Sequence, residues 1–195
     1  MLVYGMICKV NCGKIYLSVI LLLEVFNVFS EFSVKKYLKV IRTNLESMEN
    51  QLVESFKKLE NLKFPDDASV LIVVSSMDDL NDEQFELYLA VNEDMFDSVD
   101  PVGEDSEYSD GVYLVDSAIL YKEFDTGEQF DKFINFFEKN NLEEVTMEEV
   151  SNWVKKCFEK AQVILPLPIY FRFTDEENAL NLVTGEWEDQ MEIEL

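Results

Sequence analysis

From Val34 to Leu62 apolar residues recur every three or four positions, at Val34, Leu38, Ile41, Leu45, Met48, Leu52, Phe56, Leu59 and Leu62. Only an α-helix brings such a series onto one face, so this stretch is committed to a single amphipathic helix of about eight turns. Ser33 is placed to cap it, Glu54 and Lys58 form an i,i+4 pair, and Phe64-Pro65 marks its end, because the residue before proline is driven out of the α region. Ser55 stands where an apolar residue is due. That break in the a/d pattern weakens a coiled-coil reading and leaves the oligomeric state open.

The chain changes period after the helix. Ala68 to Ser76 is a β-branched run too short for a helix, and Gln84 to Asn92 alternates Phe85, Leu87, Leu89 and Val91 against Glu86, Tyr88 and Ala90. These read as a buried and a half-buried strand joined across residues 77–83, with a third strand at Val112 to Tyr121. Two shorter helices follow. Glu128 to Lys139 sets Phe130, Phe133, Ile134 and Phe137 on one face, and Thr146-Met-Glu-Glu149 has the form of a capping box opening the next helix. Ile169 to Thr174 and Ala179 to Thr184 read as a second hairpin, and residues 186–195 as a tail. No regular βαβ alternation and no repeat appears. The class is therefore α+β: a largely antiparallel sheet of about five strands, with the long N-terminal amphipathic helix and two shorter helices packed on one face.

At 195 residues the chain suits one domain, expected over 33–195 behind a hydrophobic segment at 1–32. Within that segment Ile15 to Leu23 is continuously apolar, with Lys9 and Lys14 before it and Glu24 after it. It is short for a membrane span, and reads as a signal or anchor, a core element, or sequence ahead of a true start near Val34. Cys8 and Cys12 fall inside it, leaving Cys157 as the one thiol of the domain. A reduced, cytoplasmic location follows as the expectation, with export or anchoring through residues 1–30 as its alternative; a membrane role requires residues 15–29 to act as that anchor.

Charge narrows the function. The chain has 40 Asp+Glu against 16 Lys+Arg and no histidine, a net of −24. Without imidazole there is no Ser-His-Asp or Cys-His nucleophile and no His-ligated zinc, and without a basic surface no nucleic-acid partner is expected. No P-loop, G-x-G-x-x-G, G-x-S-x-G or H-E-x-x-H is present. The expectation is a protein that is not an enzyme and holds no cofactor and no metal. Residues 34–64 carry seven basic and four acidic residues, whereas residues 65–195 carry seven basic against 34 acidic, a net of −27. Such self-repulsion calls for a cationic partner or a salty environment, and 14 lysines among the 16 basic residues argue against the second.

The acidity peaks between Glu93 and Gly111, a long connection with eight acids and no base. Asp105, Glu107, Ser109 and Asp116 fall at positions 1, 3, 5 and 12 of an EF-like calcium loop, but Asp110 occupies the position that requires glycine. A small, acidic, motif-free α+β protein resembles, as a type rather than as a family, the bacterial immunity proteins that neutralise a toxin such as a basic nuclease. The resemblance implies a basic protein partner. Candidate contacts are Asp94, Phe96, Asp97, Asp100, Glu104, Asp105, Glu107, Tyr108 and Asp110 in the loop, and Glu186, Trp187, Glu188 and Asp189 near the C-terminus. Carboxylates would steer association, with the aromatics as anchors. A general protein-interaction or regulatory module and a calcium-binding loop are the alternatives.

Overall fold

The fold is seen in a computed structural model, which describes residues 32–75, 85–97, 112–122, 124–174 and 176–193. The chain divides into a unit ending at Tyr37 and a second unit, Leu38–Leu195, with the boundary inside the first helix. The described part of the first unit is a capped helical start: Ser33 Oγ accepts the Lys36 N–H and the Ser33 carbonyl accepts that of Tyr37.

Helix α1 runs Val34–Leu59. In the second unit its buried stripe is Ile41, Leu45, Met48, Leu52, Phe56 and Leu59, as the periodicity requires. The helix stops earlier than Phe64-Pro65: after Leu59 the N–H groups of Asn61 and Leu62 bond to carbonyls only three residues back, which tightens the chain out of the α-helical ladder. Two local expectations are corrected. Glu54 pairs with Lys57 rather than Lys58. Ser55 is no flaw in the stripe, because its hydroxyl donates to the Leu114 carbonyl and so ties the helix to a strand.

Among the described residues six strands form one sheet in the order β3-β2-β1-β4-β5-β6. They are β1 (Val70–Ser75), β2 (Phe85–Asn92), β3 (Val112–Ala118), β4 (Ile169–Phe173), β5 (Asn178–Asn181) and β6 (Trp187–Asp189). The pairings are antiparallel except β1 with β4, which is parallel. Central β1 is buried along its whole length, which is why its sequence is a continuous apolar run. The count is one above the five expected because the tail supplies β6. Asn181 makes that possible: its side-chain oxygen accepts the N–H groups of Val183 and Thr184, and Gly185 at φ +80° closes the turn.

Helices α2 (Gly127–Lys139) and α3 (Leu142–Ala161) complete the class read from the sequence. Thr126 caps α2 through the Gln129 N–H, and Phe133 stacks on Tyr121 at 4.9 Å. The Thr146–Glu149 box does not open a helix. The break lies at Asn141, which takes φ 51°, and Thr146 sits one turn inside α3 with its hydroxyl bonded to the Leu142 carbonyl. The main core lies where α1 and α3 meet the sheet: Phe56 is edge-on to Phe158 at 5.3 Å, and Phe85 lies 6.2 Å from Trp153. Ion pairs lace α1 to α3 in both senses, Arg42 with Glu149 and Glu49 with Lys156 and Lys160. These are exposed pairs and contribute little beyond orientation.

Cys157 is fully buried on α3, and burial first, then the Glu49 charge, pushes its thiol up to about 12. Because the folded value lies above the ordinary one, stability is full at neutral pH and falls as pH climbs from the ordinary thiol value toward about 12. Iodoacetamide at neutral pH is expected to spare Cys157 in the folded chain and alkylate it in urea. Peptide mass spectrometry reads this directly, and alkylation at the rate of a free thiol would mean that α3 lifts from the core.

Candidate functional site

Strand register sorts the side chains of the sheet onto two faces. Residues paired across strands share a face, so Val70, Ile72, Val74, Tyr88, Ala90, Tyr170 and Arg172 lie together, opposite Leu71, Val73, Leu89 and Phe171. The second set meets the helices. The first set carries a smaller apolar cluster, Val70, Ile72, Val74, Met95, Tyr170 and Ala179, with Ala90 and Ile193 packed against it. Among the described residues it is closed by the loop after β2 and by the C-terminal segment and by no helix, and in that sense it is the helix-free face.

Asp94 builds that loop. Its carboxylate accepts the N–H groups of Phe96 at 2.7 Å and Asp97 at 2.8 Å, and the Glu93 N–H reaches the Asp97 carbonyl. These backbone donors hold the Asp94 carboxyl below the usual carboxylate range. The turn drives Met95 into the apolar cluster and leaves Phe96 55% exposed beside the exposed Asp94 and Asp97. Asp100, Glu104, Asp105, Glu107, Tyr108 and Asp110, and with them most of the EF-like loop, lie outside the described residues. Among the described residues no group of three or more Asp, Glu or Cys side chains is arranged to hold a metal ion.

The four C-terminal candidates do not form one patch, because β6 alternates. Glu188 pairs with Ala179 and turns to the helix-free face, where it accepts from the Tyr170 hydroxyl and the Asn181 amide. Burial and the nearby Glu188 charge push the Tyr170 phenol up. Trp187 pairs with Leu180 and Asp189 with Asn178, on the helix side. Asp189 accepts the Met191 N–H, while Glu186 is exposed with its carbonyl bonded to Asn181.

Arg172 joins the two regions, and no pattern in the sequence marks it. It is the one basic residue in the six strands, and its Nη1 donates both to the Met95 carbonyl in the loop and to Gln190 Oε1 behind β6. Gln190, itself buried, also donates to the Glu176 carbonyl, so the segment is fixed at both ends. Val74 pairs with both Arg172 and Tyr88, and Tyr88 with Tyr113, which makes a row Tyr113, Tyr88, Val74, Arg172 across the face. Tyr88 and Tyr113 are 37% and 52% exposed. Burial raises the Tyr88 phenol. The polar side of the alternation in β2 was the available signal for Tyr88.

Compared with models of known protein families, with curated proteins and with solved structures, the chain matches none. Among the described residues no helix is long and apolar enough to cross a membrane.

Proposed function

We propose that this protein binds and neutralises a basic partner protein, of the kind a toxin nuclease represents, through the helix-free face of its sheet. One observation carries the reading: the single cation of the strands, Arg172, is engaged internally by Met95 and Gln190, so nothing on the strands offsets Asp94 and Asp97 beside the exposed Phe96, while Tyr88 and Tyr113 stand exposed as a pair on the same sheet face. Carboxylates around an aromatic patch supply steering at the rim and anchors at the centre. A partner whose own site receives phosphates would find the same charge pattern here.

The experiment is capture from native-cell extract with the full chain, followed by association kinetics with the purified partner. The expected partner is basic, and its association slows steeply as salt rises. Asp94→Asn with Asp97→Asn keeps the oxygen that organises the turn and removes two charges, and should slow association by about tenfold at low salt. Tyr113→Ser should instead speed dissociation. An acidic or neutral partner, or rates indifferent to both changes, would overturn the reading.

A further inference from the structure

On the other side of the sheet, an open cleft of about 540 Å³ separates α3 from strands β4, β5 and β6. Glu144, Glu148 and Lys155 line it from α3, and Glu176, Asn178 and Trp187 from the sheet end. Glu144 and Glu148 are one turn apart on the same helix face, a spacing at which like charges repel. None of Glu144, Glu148 and Glu176 takes part in an ion pair among the described residues. Lys155 lines the cleft as well, but its ion pair is with Glu159 rather than with any of the three: the side chain lies across Gly185, where a Cβ would come within 2.2 Å of Lys155 Cε and 2.9 Å of its Nζ. The absent side chain at Gly185 is what lets the lysine lie flat along the wall. Trp187 stands at the rim, 49% exposed, with Leu180 and Phe173 as apolar lining.

An indole, an apolar lining and three carboxylates without an ion pair among the described residues, against one ammonium already paired to Glu159, suit a cation on an apolar stem. A hard metal ion would want oxygen ligands throughout, whereas a guanidinium stacks on tryptophan and forks to carboxylates at once. We propose that this cleft is a specificity pocket for an arginine side chain presented by the basic partner. The assignment rests on the function proposed above for the existence of that partner, and takes the interface around the sheet edge to Trp187.

The test uses the full chain and Nα-acetyl-arginine amide as a model side chain, followed by tryptophan emission. Trp153 is 5% exposed, so Trp187 dominates the response. Saturable binding is expected, with the isosteric neutral citrulline derivative inert. Glu148→Gln with Glu176→Gln should weaken it by about tenfold, while Asp66→Asn with Asp67→Asn, an equal change of net charge on an exposed turn, should leave it within about twofold. Equal loss in both pairs, or no saturation, would overturn the pocket. Probe binding that competes with the captured protein supports the assignment in full. Probe binding without any basic protein captured would sink the partner reading and assign the cleft to a free guanidinium compound instead. A captured protein that the probe fails to displace would place its contact elsewhere.

Discussion

Phe171→Ala is expected to lower the unfolding free energy by about 3–5 kcal/mol, the range for truncating a buried aromatic whose site cannot collapse. Phe171 is fully buried in β4, paired on one side with Val73 of the parallel strand and on the other with Leu180. It also lies edge-on to Phe173 at 5.0 Å and 79°. Hydrogen-bonded strands on both sides prevent the backbone from closing the void, so the cavity cost adds to the lost transfer energy. A domain of this size is stable by about 5–15 kcal/mol, so the variant should show a sharply lowered urea midpoint with the slope unchanged. Phe171→Leu refills most of the volume and should cost less than about 1.5 kcal/mol. A loss below about 1 kcal/mol for the alanine variant would mean that α3 settles onto the sheet, and that the centre of the fold lies elsewhere.

The same strand shows where the sequence was legible and where it was not. The apolar run of β1 and the alternation of β2 announce themselves, because burial on both faces or on one face writes a period into the residues. The parallel pairing of β1 with β4 leaves no such trace: β2, β3, α2 and α3 intervene, and a pairing across that separation writes no local period into the residues. β6 was hidden for a different reason. Trp187, Glu188 and Asp189 look like an acidic tail, and they become a strand only because the Asn181 turn delivers them to β5. Thr146 misled in the opposite sense, since the pattern Ser/Thr-x-x-Glu caps a helix only where the chain actually enters one. In the candidate site, carboxylates could be counted from the sequence, but their pairing could not. Glu49 and Glu149 are tied to α3 and α1, Glu188 to Tyr170, and Asp94 to its own turn. Apart from the local turn at Asp94, these pairings are tertiary contacts, which no local pattern encodes.

Arg172→Met is expected to cost about 1.5–3 kcal/mol, the scale of hydrogen bonds made by a charged group, and to loosen two segments at once. Among the described residues the guanidinium bridges the Met95 carbonyl and Gln190, so without it the loop and the C-terminal segment lose a common anchor. Part of the loss is returned, because the Nε of Arg172 is buried without a partner and a methionine carries no such burden. Hydrogen exchange separates this from uniform destabilisation: the amides of Phe96, Asp97 and Gln190 should exchange faster by about tenfold or more while those of β1 stay protected. The substitution also sets two views of the proposed function against each other. Removing a cation makes the helix-free face more negative, so a surface acting by charge alone would associate faster with a basic partner. A surface that depends on Asp94, Phe96 and Asp97 being held in one arrangement would instead release the partner sooner, because the ordering entropy then falls on binding. The fixed turn at Asp94 favours the second outcome, with faster dissociation outweighing any gain in association. Unchanged exchange at Phe96 and Gln190 would show that Met95 and Ile193 hold the two segments by apolar packing, and that Arg172 is a passenger.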